Sequence, residues 1–274
     1  NDWVGVLEGH PQARTPNIDR LARRGHLFLN AHSQATLCNP SRISFMTSRH
    51  PSTTGIYFQN APLAQSSIAT SIRTMPERFR DEGYAVMAAG KLFHNRENIL
   101  YFGEYAGDFG KYGPRPSSKL SSTYGSHSVW DWGAFPKDGV ALPDDKIADW
   151  AVRKLQQEYE KPFLMGVGFY RPHLPMYVPQ SWFDLHPREA VELPRTLDSD
   201  RDDLLSYAKN LTQAPWAPTQ RWLEESGEAK HFVQAYLASV SFVDDCVGRV
   251  LDSLERGPHG DDTIVVLLSD HGTQ

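Results

Sequence analysis

One unit of local grammar occurs twice before residue 90, and it constrains the fold more than any other feature of the chain. In Thr15-Pro16-Asn17-Ile18-Asp19-Arg20-Leu21-Ala22-Arg23-Arg24-Gly25 the threonine caps a helix and the proline takes its first position. Ile18, Leu21 and Ala22 share an inward face, and the glycine stops the helix. His26 to Ala31 then reads as a strand. Thr74-Met75-Pro76-Glu77-Arg78-Phe79-Arg80-Asp81-Glu82-Gly83 repeats the pattern, and Tyr84 to Ala89 follows as a short, buried apolar strand. Helix then strand, stated twice, predicts an α/β fold with a mainly parallel sheet. In such sheets functional groups gather just beyond the carboxyl ends of the strands.

The remaining elements fit that plan. Leu37-Cys38-Asn39-Pro40-Ser41-Arg42-Ile43-Ser44-Phe45-Met46-Thr47 predicts a helix with its proline in the first turn and Ile43, Phe45 and Met46 to bury. Pro143 to Tyr159 is helical, with Ile147, Trp150, Ala151 and Leu155 on one face, and Pro162 to Phe169 is a central strand. His231 to Leu254 is the longest helix, carrying an apolar stripe at spacings of three and four. Thr263 to Leu268 is the most apolar strand. Residues 1–14, 48–67 and 95–140 read as loops, and so long a loop as the last is functional or mobile. Residues 176–229 are irregular, with short helices near Ser181–Leu185 and Arg201–Ala208. No internal repeat and no domain boundary stands out, so residues 1–274 read as a single domain.

Composition excludes several classes. A chain of 274 residues, 40% hydrophobic and 22% charged, can bury a sizeable core. A net charge of -5 argues against a nucleic-acid binder. The longest clean apolar run, Ile264 to Leu268, is far too short to span a membrane, and no membrane partner is expected. No signal peptide is visible. Two cysteines, Cys38 and Cys246, rule out a disulfide scaffold, and Cys246 falls in the apolar stripe of the long helix.

The candidate chemistry lies at the predicted strand ends and one helix start. Cys38 stands where a helix start favours an anion, with the forked cation Arg42 close behind; it reads equally as a small buried core residue. Gly90-Lys91-Leu92-Phe93-His94 follows a strand, and Lys91 and His94 read as site groups or as a surface lysine and a satisfied loop histidine. In Arg171-Pro172-His173-Leu174-Pro175 two prolines hold the backbone extended around His173, again a site group or a loop histidine. Ser269-Asp270-His271-Gly272 closes the last strand, where Asp270 reads as a site carboxylate or a helix cap. Their shared topological position favours one cationic pocket suited to an oxyanion such as sulfate or phosphate. A divalent cation would give the carboxylate its reason to be there.

Cys38-Asn39-Pro40-Ser41-Arg42 resembles the C-x-P-S-R signature of the type I, formylglycine-dependent sulfatases. The helix opening Thr15-Pro16-Asn17, and the Gly-Lys-Leu-Phe-His, Arg-Pro-His-Leu-Pro and Ser-Asp-His-Gly stretches, are similar to that family's further motifs in the same order. The likeness spans nearly the whole chain and is nearest to the iduronate-2-sulfatase-like branch.

The resemblance implies an alkaline-phosphatase-like sulfatase fold, with a mainly parallel central sheet flanked by helices on both faces. It implies a sulfuric ester hydrolase acting on a sulfated sugar or other small sulfate ester. A formylglycine-generating enzyme would oxidise Cys38 to formylglycine, and the hydrated aldehyde would attack sulfur. It further implies that Arg42 holds the hydrated aldehyde and the metal-bound site, that Lys91 contacts nucleophile and sulfate, and that His94 orients or deprotonates a diol hydroxyl. His173 would bind sulfate or protonate the leaving oxygen. Asp270 and His271, with residue 38, would lie at one calcium (Ca2+), Asp270 being the surer ligand because calcium prefers hard oxygen donors, and His271 alternatively lying close to the metal or the nucleophile. Lys91 and Arg42 together would neutralise charge growing on the transferring group.

The family has a pair of aspartates upstream of where this chain begins, which Asp2 does not replace, and a further lysine and more sheet downstream of Asp270-His271-Gly272. The expectation is therefore a catalytic-domain fragment incomplete at both ends, lacking its first strand and C-terminal subdomain and weak or inactive alone. Its parent would be exported, whether periplasmic, secreted or lysosomal. Asn210-Leu211-Thr212 fits a glycosylation acceptor. The competing readings are a phosphodiesterase or phosphonate hydrolase of the same superfamily and a degenerate sulfatase-like binding protein. A thiol hydrolase attacking through unmodified Cys38 lacks any acyl-transfer signature.

Overall fold

Ala85–Gly90, the strand expected after the second capped helix, is the middle strand of a parallel sheet. The computed structural model describes residues 3–94, 98–122, 129–197, 199–211 and 217–272. Among them the strands are β1 (Ala85–Gly90), β2 (Glu104–Tyr105), β3 (Trp132–Ala134), β4 (Phe163–Gly168) and β5 (Met176–Val178). The helices are α1 (Pro16–Arg24), α2 (Cys38–Thr47), α3 (Pro51–Thr54), α4 (Ser67–Thr70), α5 (Met75–Asp81), α6 (Asn98–Tyr101), α7 (Pro143–Leu155), α8 (Gln180–Asp184), α9 (Ser206–Leu211), α10 (Gln220–Glu225) and α11 (Ala229–Arg256). The sheet runs β2-β1-β4, all parallel, with Ala85 opposite Phe163 and Gly90 opposite Gly168. β3 and β5 form a separate parallel pair.

Alternation along β1 explains why both faces of the sheet are covered. Val86 and Ala88 enter a cluster with Ile43 and Met46 of α2 and Phe79 of α5. Met87 and Ala89 point the other way, to Ile147, Trp150 and Ala151 of α7. Each large apolar side chain so buried contributes about 1.5–3 kcal/mol. The expected α/β architecture with helices on both faces is therefore what forms. α11 lies against α7, α1 and β5, and its Tyr236, Val240, Phe242 and Cys246 pack with Trp132, Met176 and Val178. Cys246 is fully buried there and both cysteines are free thiols. No helix among the described residues is long and apolar enough to cross a membrane.

α1 starts and stops where its caps predict, but its amide cap comes from afar. The buried Asp244 of α11 accepts from the backbone N–H groups of Asn17 (3.2 Å) and Ile18 (2.8 Å). Thr15 instead takes the Gly5 amide at 2.7 Å and donates to Asp19 at 3.0 Å. At α5 the Glu77 carboxylate accepts from the Thr74 amide and hydroxyl, both at 2.8 Å.

Several expectations need correction. His26–Ala31 and Thr263–Leu268 form no strand: a strand exists only when its backbone pairs, and no described strand pairs with either. Their apolar residues stay in solvent, with Phe28 78% and Ile264 90% exposed. The loop at 48–67 contains α3 and a short 3-10 turn at Leu63–Gln65. The loop at 95–140 contains α6, β2 and β3; residues 95–97 and 123–128 lie outside the described ones. The helix expected to Tyr159 ends at Leu155, and that near Arg201–Ala208 is displaced to Ser206–Leu211. The chain around His173 is a turn, not extended: the His173 amide donates to the Tyr170 carbonyl at 2.9 Å, and Arg171-Pro172 and Leu174-Pro175 are cis. Thr212 of the glycosylation triplet lies outside the described residues.

Candidate active site

The carboxyl ends of β1 and β4 meet over two glycines. Gly90 has φ +80, and a Cβ on it would stand 2.0 Å from the Gly168 carbonyl oxygen. This close approach lets the Lys91 amide donate to Gly168 at 2.7 Å, fixing where the lysine leaves the sheet. Lys91 is buried, and its Nζ lies 3.5 Å from Cys38 Sγ.

Cys38 is the first residue of α2 and is 4% exposed. The amide of Asn39 is taken by Gln59 Oε1 at 2.9 Å, and Pro40 has none. Anion binding at this helix start therefore rests chiefly on side chains. Arg42, one turn on, points its Nε to Asp270 Oδ2 at 2.9 Å, while Nη1 donates to the carbonyls of Lys91 and, at 3.0 Å, Leu92. The same arginine thus ties the end of β1 to the Asp270 segment. Ser41 Oγ donates to the Asp270 carbonyl, a second tie.

His271 Nε2 lies 3.1 Å from Cys38 Sγ, and its Nδ1 lies 2.8 Å from the Gly272 carbonyl. A carbonyl only accepts, so Nδ1 carries a proton. Burial opposes ionisation of Cys38, but hydrogen bonding from His173, His271 and His94 and the Lys91 charge outweigh it and draw the thiol down to about 2. Hydrogen bonding to Cys38, set against partial burial and helped by Gly272 and Asp270, raises His271 to about 9. The pair is a thiolate facing an imidazolium. Burial lowers the Lys91 ammonium from its ordinary value, an effect the Cys38 charge opposes.

His173 Nδ1 lies 2.5 Å from the Leu174 carbonyl, so that nitrogen is a donor and Nε2 is left for the site. His94 Nδ1 is buried without a partner. The structure thus gathers Cys38, Arg42, Lys91, His94, His173, Asp270 and His271, all seven sequence candidates, around one sulfur atom.

A cation could meet Cys38 Sγ, an Asp270 oxygen and a His271 nitrogen, whose ligand atoms lie within 4.8 Å of one another. This sulfur, oxygen and nitrogen set is a poor match for calcium, which takes about six to eight oxygens. His271 with both nitrogens protonated offers no lone pair. Asp270 is the one hard donor among the described residues of this cluster.

Three further participants are not among those candidates, and of them only Tyr112 lies outside every motif. Tyr112 packs its ring on His173, with centroids 4.8 Å apart. The buried Arg171 holds the Tyr112 carbonyl at 3.0 Å, and Ser41, inside the signature, ties α2 to the Asp270 carbonyl. The dense glycines of Gly107-Asp108-Phe109-Gly110-Lys111-Tyr112-Gly113 were the available signal, since they mark a backbone that needs positive φ.

Residues 4–274 match the family model described as Sulfatase. A protein named "Sulfatase" from Formosa agariphila is 40% identical over 99% of this chain and 56% of its own length. Iduronate 2-sulfatase of Mus musculus is 32% identical over 96% of this chain and 51% of its own. The chain thus spans about half the length of these curated relatives. A solved phosphonate monoester hydrolase from Agrobacterium radiobacter shares the fold, with a TM-score of 0.65 at 18% identity over 95% of this chain and 58% of that one.

Proposed function

Because the chain belongs to the sulfatase family, we propose that it carries the nucleophile pocket of an enzyme that hydrolyses a sulfate ester, with a sulfated sugar as substrate. The observation that supports this best is the convergence of Lys91, His271, His173 and His94 on residue 38, with Arg42 and Asp270 paired beside it.

Converted to formylglycine by a formylglycine-generating enzyme and hydrated, residue 38 supplies one hydroxyl to attack sulfur and a second to expel the sulfate. The groups that stabilise a thiolate in this structure are placed to stabilise negative charge on that hydrate. Lys91 neutralises charge on the nucleophile and on the sulfate that approaches it. His94, with its buried unpartnered Nδ1, is available to take a proton. Leu174 holds the Nδ1 proton of His173 and leaves Nε2 facing the site; when that nitrogen also carries a proton, the imidazolium can deliver it to the leaving oxygen and return to the neutral Nδ1–H form. Arg42 keeps Asp270 in place through its Nε and adds fixed positive charge. Asp270 is the one hard ligand this chain offers a divalent cation; calcium is the cation proposed because a formylglycine hydrate would put oxygen where the Cys38 sulfur stands, and it would polarise the sulfate oxygens. An exported compartment for the parent protein is part of the same proposal and is checked by cell fractionation.

The test uses the complete gene product made together with a formylglycine-generating enzyme. Peptide mapping should find the aldehyde at position 38, and sulfated monosaccharides should be turned over faster than phosphonate or phosphate esters. An unmodified thiol with full turnover would sink the mechanism. A preference for the phosphorus ester would move the assignment to the phosphonate hydrolases.

A further inference from the structure

His173 is held on two sides. Leu174 takes its Nδ1 proton, and the Tyr112 ring lies against its face at 4.8 Å between centroids and 33° between planes. Tyr112 is itself braced. Its ring meets Tyr170 edge-on at 5.5 Å and 76°, and its carbonyl accepts from Arg171 Nη2 at 3.0 Å. The same guanidinium spans to the Tyr177 carbonyl through Nε at 3.0 Å and Nη2 at 2.9 Å. Asp144, fully buried at the start of α7, fixes the Tyr170 and Arg171 amides at 2.6 and 3.3 Å. An unbroken series of contacts therefore runs from the α7 N-terminus through Arg171 and Tyr112 to the face of His173.

The segment that delivers Tyr112 is strained. Gly107, Phe109, Gly110, Lys111 and Gly113 all have positive φ, and two of these, Phe109 at 50° and Lys111 at 54°, are not glycine. Such conformations cost on the order of 1 kcal/mol or more each and persist where the surroundings over-determine them, most often at working sites. A loop needed only to connect β2 to β3 has no reason to hold them. Delivering one ring to one imidazole is a reason.

We propose that Tyr112 is a positioning residue for the reaction: its ring fixes the plane of His173 so that Nε2 is aimed at the leaving oxygen. The inference rests on the sulfatase reading above, in which His173 is the leaving-group acid. Nδ1 anchoring sets one axis of the imidazole and leaves rotation about it open; the flat face of Tyr112 closes that rotation. A leucine is apolar but smaller and has no flat face, so it would fill part of the space without defining the plane.

Leaving-group dependence tests this, because a proton donor matters most when the departing oxygen is basic. In the complete, formylglycine-bearing gene product, turnover of a sulfated monosaccharide is compared with that of 4-nitrophenyl sulfate, whose phenolate leaves unaided. Tyr112→Phe should stay within about threefold of wild type on both, while Tyr112→Leu should lose about 10- to 100-fold in kcat on the sugar sulfate and under about threefold on the nitrophenyl ester, with KM steady. Equal losses on both esters, a Phe variant as impaired as the Leu variant, or loss of the folded state in Tyr112→Leu would each overturn the inference. His173→Ala separates the two levels. If it shows the leaving-group selectivity and Tyr112→Leu does not, only the role of Tyr112 falls. If it shows none, the acid role of His173 falls and takes this inference with it.

Discussion

Gly168→Ala is the substitution that most directly tests how the sheet sets the pocket. The change adds one methyl group at a position whose neighbours are main chain. An ideal Cβ there stands 2.3 Å from the Lys91 carbonyl oxygen, 2.5 Å from its carbon and 2.7 Å from its nitrogen. Ordinary contact begins at 3.4 Å, so the Lys91 backbone must retreat by about 1 Å. No side-chain rotation relieves this, and the 2.7 Å bond from the Lys91 amide to Gly168 must lengthen or break. Overpacking of this kind costs about 1–3 kcal/mol, enough to lower the unfolding midpoint and too little to abolish the fold. The functional cost should be larger. Lys91 Nζ lies 3.5 Å from Cys38 Sγ, and a displacement of about 1 Å at a catalytic group costs on the order of 100-fold in rate. The measurement is kcat/KM on a sulfate ester for the complete gene product, beside denaturant unfolding of the same sample. Gly83→Ala is the control: its φ is +86 and nothing lies within 4 Å of the added Cβ. It should lose about 1 kcal/mol of stability from the left-handed backbone alone and keep its activity. If Gly168→Ala behaves like Gly83→Ala in both measurements, the close approach of the two strand ends does not position Lys91.

Three other outcomes are expected. In the unmodified, metal-free protein Cys38 titrates at about 2 against an ordinary 9.0, so its thiolate fraction, and its iodoacetamide alkylation rate, should be flat from pH 5 to 8. A rate that climbs about tenfold per pH unit across that range, as for an ordinary thiol, would contradict the ion pair with His271. Asp244→Ala should cost about 0.5–2 kcal/mol by uncapping the amides of Asn17 and Ile18, with kcat/KM unchanged; denaturant unfolding measures the first and steady-state kinetics the second. Chelation by EDTA should remove most sulfatase activity, and calcium should restore it better than zinc; full activity in excess chelator would count against Asp270 as a metal ligand.

What could be read from the sequence was what is locally determined. α1 and α5 were legible within a residue or so because threonine, proline and glycine mark their ends. β1 was legible because both its faces are buried, leaving an unbroken apolar run, and β4 because its run is as apolar although most of its residues are only half-buried. β2, β3 and β5 were not, since strands of two or three residues are defined by their partners. Thr263–Leu268 shows the converse: a strong strand pattern whose backbone finds no described partner. Lys91, His94, His173, Asp270 and His271 could be found because each follows a predicted strand. For Tyr112 the surrounding glycines mark only an unusual backbone; its role comes from a contact with His173 across the fold. The end of α7 was missed for a related reason: Tyr159 reaches back to bond the Lys154 carbonyl at 2.9 Å, which no local pattern announces.

The charges in the pocket explain why a thiol and its aldehyde product would make such different sites from the same residues. Arg42 and Asp270 neutralise each other across 2.9 Å. That leaves Lys91 and the His271 imidazolium facing Cys38, and as a thiolate the cysteine answers one of those two charges. Replacing the sulfur by an uncharged hydrate removes that answer. Lys91 then stands buried without that anion, a costly state at low dielectric, and His271, whose charge Cys38 chiefly sustains, loses its main reason to stay protonated. A sulfate ester brings one negative charge, and the transition state spreads more of it over the oxygens nearest Lys91. On the proposed mechanism, the oxidation of Cys38 therefore does two things at once. It installs a nucleophile that can release its own adduct, and it turns a self-satisfied ion pair into a pocket whose charge only an anionic substrate completes.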